Sequence, residues 1–205
     1  MSKIMKITVS EHVGEVIEAN SSRFLSQALQ DPQTGEKQAP RLGSLLKTHN
    51  ESTGLQILGV VSQVTTRSAD SVHRPVALNL TRQQLREQQP QIFDLLSLEF
   101  EAVVVGYWEK GLYYQHFPPY PPQIHDFTYL CNPEESIRFS DRLFCLRNLL
   151  ETPGVHDEVV AAFIKGLWLV RKQDPAFLLD AGRELAHLLK DQYERLRSIA
   201  ARLQS

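Results

Sequence analysis

Between residues 13 and 68 the apolar residues come in short runs, set apart by polar clusters and spaced with the rhythm of strands. Residues 13–19 alternate. Val13, Glu15, Ile17 and Ala19 share one face, and Gly14, Val16 and Glu18 the other, as in a strand with two unequal sides. After the turn cluster Asn20-Ser21-Ser22, residues 23–29 predict another strand, although Gln27, Ala28 and Leu29 would also tolerate a helix. Residues 31–39 read as a flexible surface loop. A further strand follows over 42–48, entered by Pro40 and kinked at Gly43. The longest and most β-branched strand covers 55–66, with Gly59 inside it where a glycine marks a bulge or a barrel corner. Residues 4–9 are either a first strand or a lead-in. Short strands with single glycines predict a small antiparallel β-barrel.

A helix is expected near 81–96, with Thr81 as its N-cap, Pro90 restarting it, and Ile92, Phe93, Leu95 and Leu96 as its apolar stripe. Residues 98–107 then alternate as a strand. Phe100, Ala102 and Val104 face one way, and Glu99, Glu101, Val103 and Val105 the other. Glu109-Lys110-Gly111 turns this strand into a hairpin partner over 112–117. From residue 132 the period changes. Asn132-Pro133-Glu134-Glu135 opens a helix whose apolar face holds Ile137, Phe139, Leu143, Phe144, Leu146, Leu149 and Leu150. A second helix over 156–172 is apolar around more than half its circumference. A third starts at Asp174-Pro175 and runs to about residue 203. Its near-heptad stripe is Leu178, Leu185, Leu189, Tyr193, Leu196, Ala200 and Leu203, with Leu188 and Ile199 beside it and Asp191 paired i,i+4 to Arg195 on the wet side. The expected fold class is α+β. A small antiparallel β-barrel fills 1–117, with the inserted helix near 81–96. A proline-rich connector fills 118–132, and a three-helix bundle fills 133–205.

Composition narrows the function classes. The chain has 205 residues, 42% hydrophobic, enough for a packed core. A net charge of -2, from 22 basic and 24 acidic residues, gives no basic excess for a sequence-blind hold on nucleic acid. Cys131 and Cys145 have no His at ligand spacing, so no metal site or other cofactor is expected. The opening residues are too short in their apolar run for a signal core, and no run approaches the ~20 residues that span a bilayer. A soluble, cytoplasmic protein with two free thiols is expected. His116 and His125 lack a Ser or Cys at a spacing that would make either a catalytic base, so no enzyme is expected.

Three segments carry a resemblance: Val13-Gly14-Glu15-Val16-Ile17-Glu18-Ala19, Pro40-Arg41-Leu42-Gly43-Ser44-Leu45-Leu46-Lys47, and Ile57-Leu58-Gly59-Val60-Val61-Ser62-Gln63-Val64. In this order they resemble the HAS-barrel, the small β-barrel of HerA-type hexameric translocases and of the N-terminal domains of rotary ATP synthase subunits. Pro90-Gln91-Ile92-Phe93-Asp94-Leu95-Leu96, Phe100-Glu101-Ala102-Val103-Val104-Val105-Gly106-Tyr107 and Pro118-Pro119-Tyr120-Pro121-Pro122 are similar to the segment leading from barrel to ATPase in HerA-like proteins. The likeness covers residues 13–133. The ATPase does not follow, because no Gly-Lys-Ser/Thr phosphate loop occurs in the chain. What the resemblance implies is the barrel's role in packing side by side and docking partner proteins.

The expected role is therefore a non-enzymatic adapter or assembly factor. Its partners would be proteins, among them a ring ATPase or further copies of itself. The candidate partner-binding residues are Tyr113, Tyr114, Phe117 and Tyr120 around the prolines, and Trp168, Leu196 and Leu203 on the helices. The alternative is a nucleic-acid module using an OB-like barrel surface, with Tyr107, Trp108, Tyr113 and Tyr114 as stacking aromatics but only Lys110 among them.

Overall fold

The computed structural model describes residues 12–30, 37–50, 52–68 and 76–204. The lead-in at 4–9 and most of the polar loop at 31–39 lie outside these residues. The fold is α+β, with a seven-stranded antiparallel sheet and seven helices among the described residues. The strands are β1 (His12–Ala19), β2 (Arg23–Ala28), β3 (Leu45–His49), β4 (Gln56–Ser68), β5 (Leu96–Glu109), β6 (Leu112–Tyr114) and β7 (Phe127–Leu130). Their order is β2-β1-β7-β3-β4-β5-β6, and β2 pairs with β5 as well as with β1. β7 arises inside the segment read as a connector, where it pairs with both β1 and β3.

The middle of the sheet is buried on both faces. Phe24, Phe100, Ala102, Val104, Leu46, Ile57 and Val61 fill one side. Gly14 and Gly59 make room there, since a Cβ at either would sit within 3 Å of the Phe100 or Phe24 ring. Leu45, Leu58, Val60, Val103 and Val105 point the other way, into a core shared with the helices. Alternation along β4 and β5 therefore separates two hydrophobic cores rather than core from water.

The helices depart from expectation in their breaks. The segment near 81–96 is α1 (Arg82–Gln88) and the single turn α2 (Gln91–Asp94), after which Leu95 is exposed and Leu96 enters β5. Thr81 caps α1 as expected, accepting from the Gln84 amide, and Pro90 has no N–H to carry the helix on. The first C-terminal helix is two, α3 (Pro133–Phe139) and α4 (Cys145–Glu151). Side chains close the end of α3: the Ser140 hydroxyl donates to the Ser136 carbonyl at 2.7 Å, and the Arg171 guanidinium donates to that of Ile137 at 2.7 Å. Phe144, assigned to the buried face, stands at the break and is exposed.

After α5 (Asp157–Val170), the third helix also divides, into α6 (Pro175–Leu188) and α7 (Tyr193–Gln204). The break resets the helical phase, so Tyr193 is 70% exposed while Ile199, expected beside the stripe, is completely buried. Arg195 does not pair with Asp191; its Nε donates to Asp157 at 2.6 Å, at the start of α5. Five short helices thus stand where a three-helix bundle was expected. The apolar α5 is their hub, touching α3, α4, α6, α7 and β4. Lys47 on β3 pairs with Glu135 on α3, adding a charged tie between sheet and helices.

Candidate partner-binding groove

The β5–β6 hairpin turns through Lys110 and Gly111, both with left-handed φ (49° and 89°), the pattern of a type I′ turn. Among the described residues the strand after it, β6, pairs only with β5 and ends the sheet. Its side chains alternate. Tyr114 stacks on Tyr107 with centroids 4.8 Å apart, and His116 meets the Tyr107 ring edge-on at 5.3 Å. Tyr113 faces the helices and meets Phe139 edge-on at 5.9 Å. Burial pushes the Tyr107 and Tyr113 hydroxyls up, helped by Tyr114 for the first and by the Glu135 carboxylate for the second, so both remain neutral at ordinary pH.

Gln115 fixes the wall opposite β6. Its side-chain amide donates to the Phe139 carbonyl at 2.5 Å and to that of Arg142 at 2.7 Å, and its oxygen accepts from the Cys145 amide at 2.9 Å. These three bonds hold the turn between α3 and α4 alongside the end of the sheet. The result is an open groove of about 420 Å³ between Leu112–Tyr114 and the Arg138–Phe144 segment. Leu112 is 60% and Phe144 56% exposed at its sides. Arg138 lies over the Tyr113 ring at 5.9 Å and Arg142 over Phe144 at 5.8 Å. Asp141 also lines the groove and pairs with Arg171 at 3.0 Å.

Of the residues singled out in the sequence, Tyr113 and Tyr114 line this groove. Phe117 (46% exposed) and Tyr120 (72%) lie beyond it on the proline segment, where Pro118 and Pro122 are buried and hold the chain down. Trp168 is half-buried against the helical core, with its indole N–H unpartnered. Leu196 and Leu203 pack half-buried onto the same core. The groove brings in Leu112, Gln115, Arg138, Arg142 and Phe144, none of which the sequence marked as partner-binding. The hairpin signal at Lys110-Gly111 located β6, but nothing local marked Gln115 or the helix break.

Other chemistry-bearing groups are placed differently. Burial pushes the Cys131 thiol up strongly and the Cys145 thiol up to about 12, which leaves both poor nucleophiles. His125 Nδ1 lies 2.5 Å from Glu15 on the surface. Among the described residues, no three His, Cys, Asp or Glu side chains gather as metal ligands, and no helix is long and apolar enough to cross a membrane. No known family model matches the chain, and no curated protein matches it.

Proposed function

We propose that this chain is an adapter or assembly factor that works by binding protein partners, without catalysis of its own. The observation that carries the reading is the trio of exposed large apolar side chains Phe117, Tyr120 and Ile124 on the proline segment after β6. Apolar exposure concentrated in one segment is what a docking surface requires. The pairing of β2 with both β1 and β5 supports reading six of the strands as a small barrel of the HAS type. On that reading the partner class is a ring ATPase, with the chain seated on it through the sheet half and the helical half. The nucleic-acid alternative has weaker support, because Tyr107 is buried and Tyr113, Tyr114 and Trp108 are packed against their own neighbours.

The test is capture of partners from native extract by the tagged full chain, beside a variant carrying Phe117→Ser, Tyr120→Ser and Ile124→Ser. All three side chains are exposed, so the variant keeps the fold. A defined complex that the parent retrieves and the variant loses supports the reading. Recovery of no defined complex by the parent, at low salt and high, overturns it.

A further inference from the structure

The outer side of β6 has the features of a strand-addition site. In a two-residue hairpin, the closing pair Glu109–Leu112 and the pair Tyr107–Tyr114 bond to each other, so the N–H and C=O of Tyr113 point away from β5. No turn, loop or side-chain hydrogen bond meets either group among the described residues. The groove that takes in Leu112–Tyr114 has two exposed apolar side chains in its lining, Leu112 and Phe144, that an incoming residue could cover. Its charged lining is Arg138, Arg142 and Asp141, an excess of basic groups. Arg138 and Arg142 make no ion pair among the described residues, while the Asp141 carboxylate beside them in the lining is engaged by Arg171 at 3.0 Å.

Resting on the adapter reading, we propose that the β6 edge takes an extended acidic segment of a partner protein as an added strand. Tyr113 supplies its outward N–H and C=O to the partner's main chain. Arg138 and Arg142 meet carboxylates along the segment, and Leu112 and Phe144 cover an apolar side chain between them. A second copy of this chain fits poorly as the occupant. Edge-to-edge pairing of two β6 strands would bring both pairs of unpaired guanidiniums toward one interface, where like charges repel. A nucleic acid could answer the arginines but not the outward main-chain groups.

The experiment uses the full chain and a fluorescent peptide of alternating aspartate and valine, with two controls. One replaces aspartate by lysine, and the other carries backbone N-methyl groups along the bonding edge. The acidic peptide is expected to bind, and its presence to slow hydrogen exchange at the Tyr113 amide. The double variant Arg138→Glu/Arg142→Glu should weaken it by about tenfold or more, and the lysine and N-methyl peptides should bind weakly or not at all. Both arginines are exposed, so circular dichroism of the variant should match the parent. Equal binding of the acidic and lysine peptides, insensitivity to N-methylation, or no binding at concentrations of about 1 mM overturns the proposal. So does protection of Tyr113 by concentration-dependent self-association, or displacement of the peptide by a single-stranded oligonucleotide. If the double variant still retrieves the parent's complex from extract, the adapter reading stands and the groove is not its binding surface. If the parent retrieves nothing, the adapter reading fails whatever the peptide does.

Discussion

Replacing Gly43 by alanine tests whether sheet and helices are one packed unit. Gly43 lies in the turn before β3, where the Ser44 amide donates to the Arg41 carbonyl at 3.0 Å and Gly43 has a φ of +78°. A Cβ there would meet the Phe163 amide nitrogen at 2.6 Å and the Ala162 carbonyl carbon at 2.7 Å, which are main-chain atoms of α5. Two costs therefore combine. Holding an L-residue in the left-handed region costs about 1–2 kcal/mol. Pushing a packed helix backbone aside costs about 1–3 kcal/mol, the usual range for overpacking. Gly43→Ala should lose about 2–5 kcal/mol in all. Gly54 separates the two terms, since its φ is +70° but nothing lies within 4 Å of its Cβ position. Gly54→Ala should lose only the conformational share, about 1–2 kcal/mol. Urea unfolding gives both values, followed by circular dichroism and by the fluorescence of Trp108 on β5 and Trp168 on α5. If Gly43→Ala costs no more than Gly54→Ala, α5 does not rest on that turn and the shared core is wrong.

Gly166 sits inside α5 with open space around its Cβ position, so Gly166→Ala should stabilise by about 0.5–1 kcal/mol in the same assay. Ile199→Ala should cost about 2–5 kcal/mol and Tyr193→Ala less than about 0.5, since one side chain is fully buried and the other exposed; equal losses would mean that α7 keeps the phase of α6. Ser26 and Thr128 share a buried hydrogen bond of 2.8 Å between β2 and β7. Ser26→Ala should lose about 1–3 kcal/mol by orphaning the Thr128 hydroxyl, and adding Thr128→Val should recover part of that loss. The native state holds the Cys145 proton up to about pH 12, against 9.0 for a free thiol. Between those values the unfolded chain binds fewer protons, so stability should fall as pH rises, read from urea midpoints at successive pH. Iodoacetamide should label Cys145 only after unfolding, and rapid labelling of the native chain would contradict its burial.

Most elements were legible in the sequence because their signals are local. Period-2 patterning marked β1 and β5, and a long β-branched run marked β4. Lys110-Gly111 marked the hairpin, and Thr81, Asn132 and Asp174 marked helix starts that each accept a backbone amide in the structure. The helix breaks at Ser140 and after Leu189 were not legible. The carbonyls left at the end of α3 are satisfied in part by Arg171, which lies far along the chain. Without knowledge of that contact, an unbroken apolar stripe is the simpler pattern.

The groove followed the same division. Sequence alone determined that Tyr113 and Tyr114 sit on a short strand after a tight turn, since turn chemistry fixes the next few residues. It also determined the two faces of β5, with Ala102 and Val104 opposite Val103 and Val105. Only the tertiary structure decided that both faces are buried, that β7 lies inside the sheet, and that Gln115 brings Arg138, Arg142 and Phe144 alongside β6. Periodicity records how a segment divides its own side chains. What covers each face depends on residues distant in sequence, so a local pattern cannot carry that information.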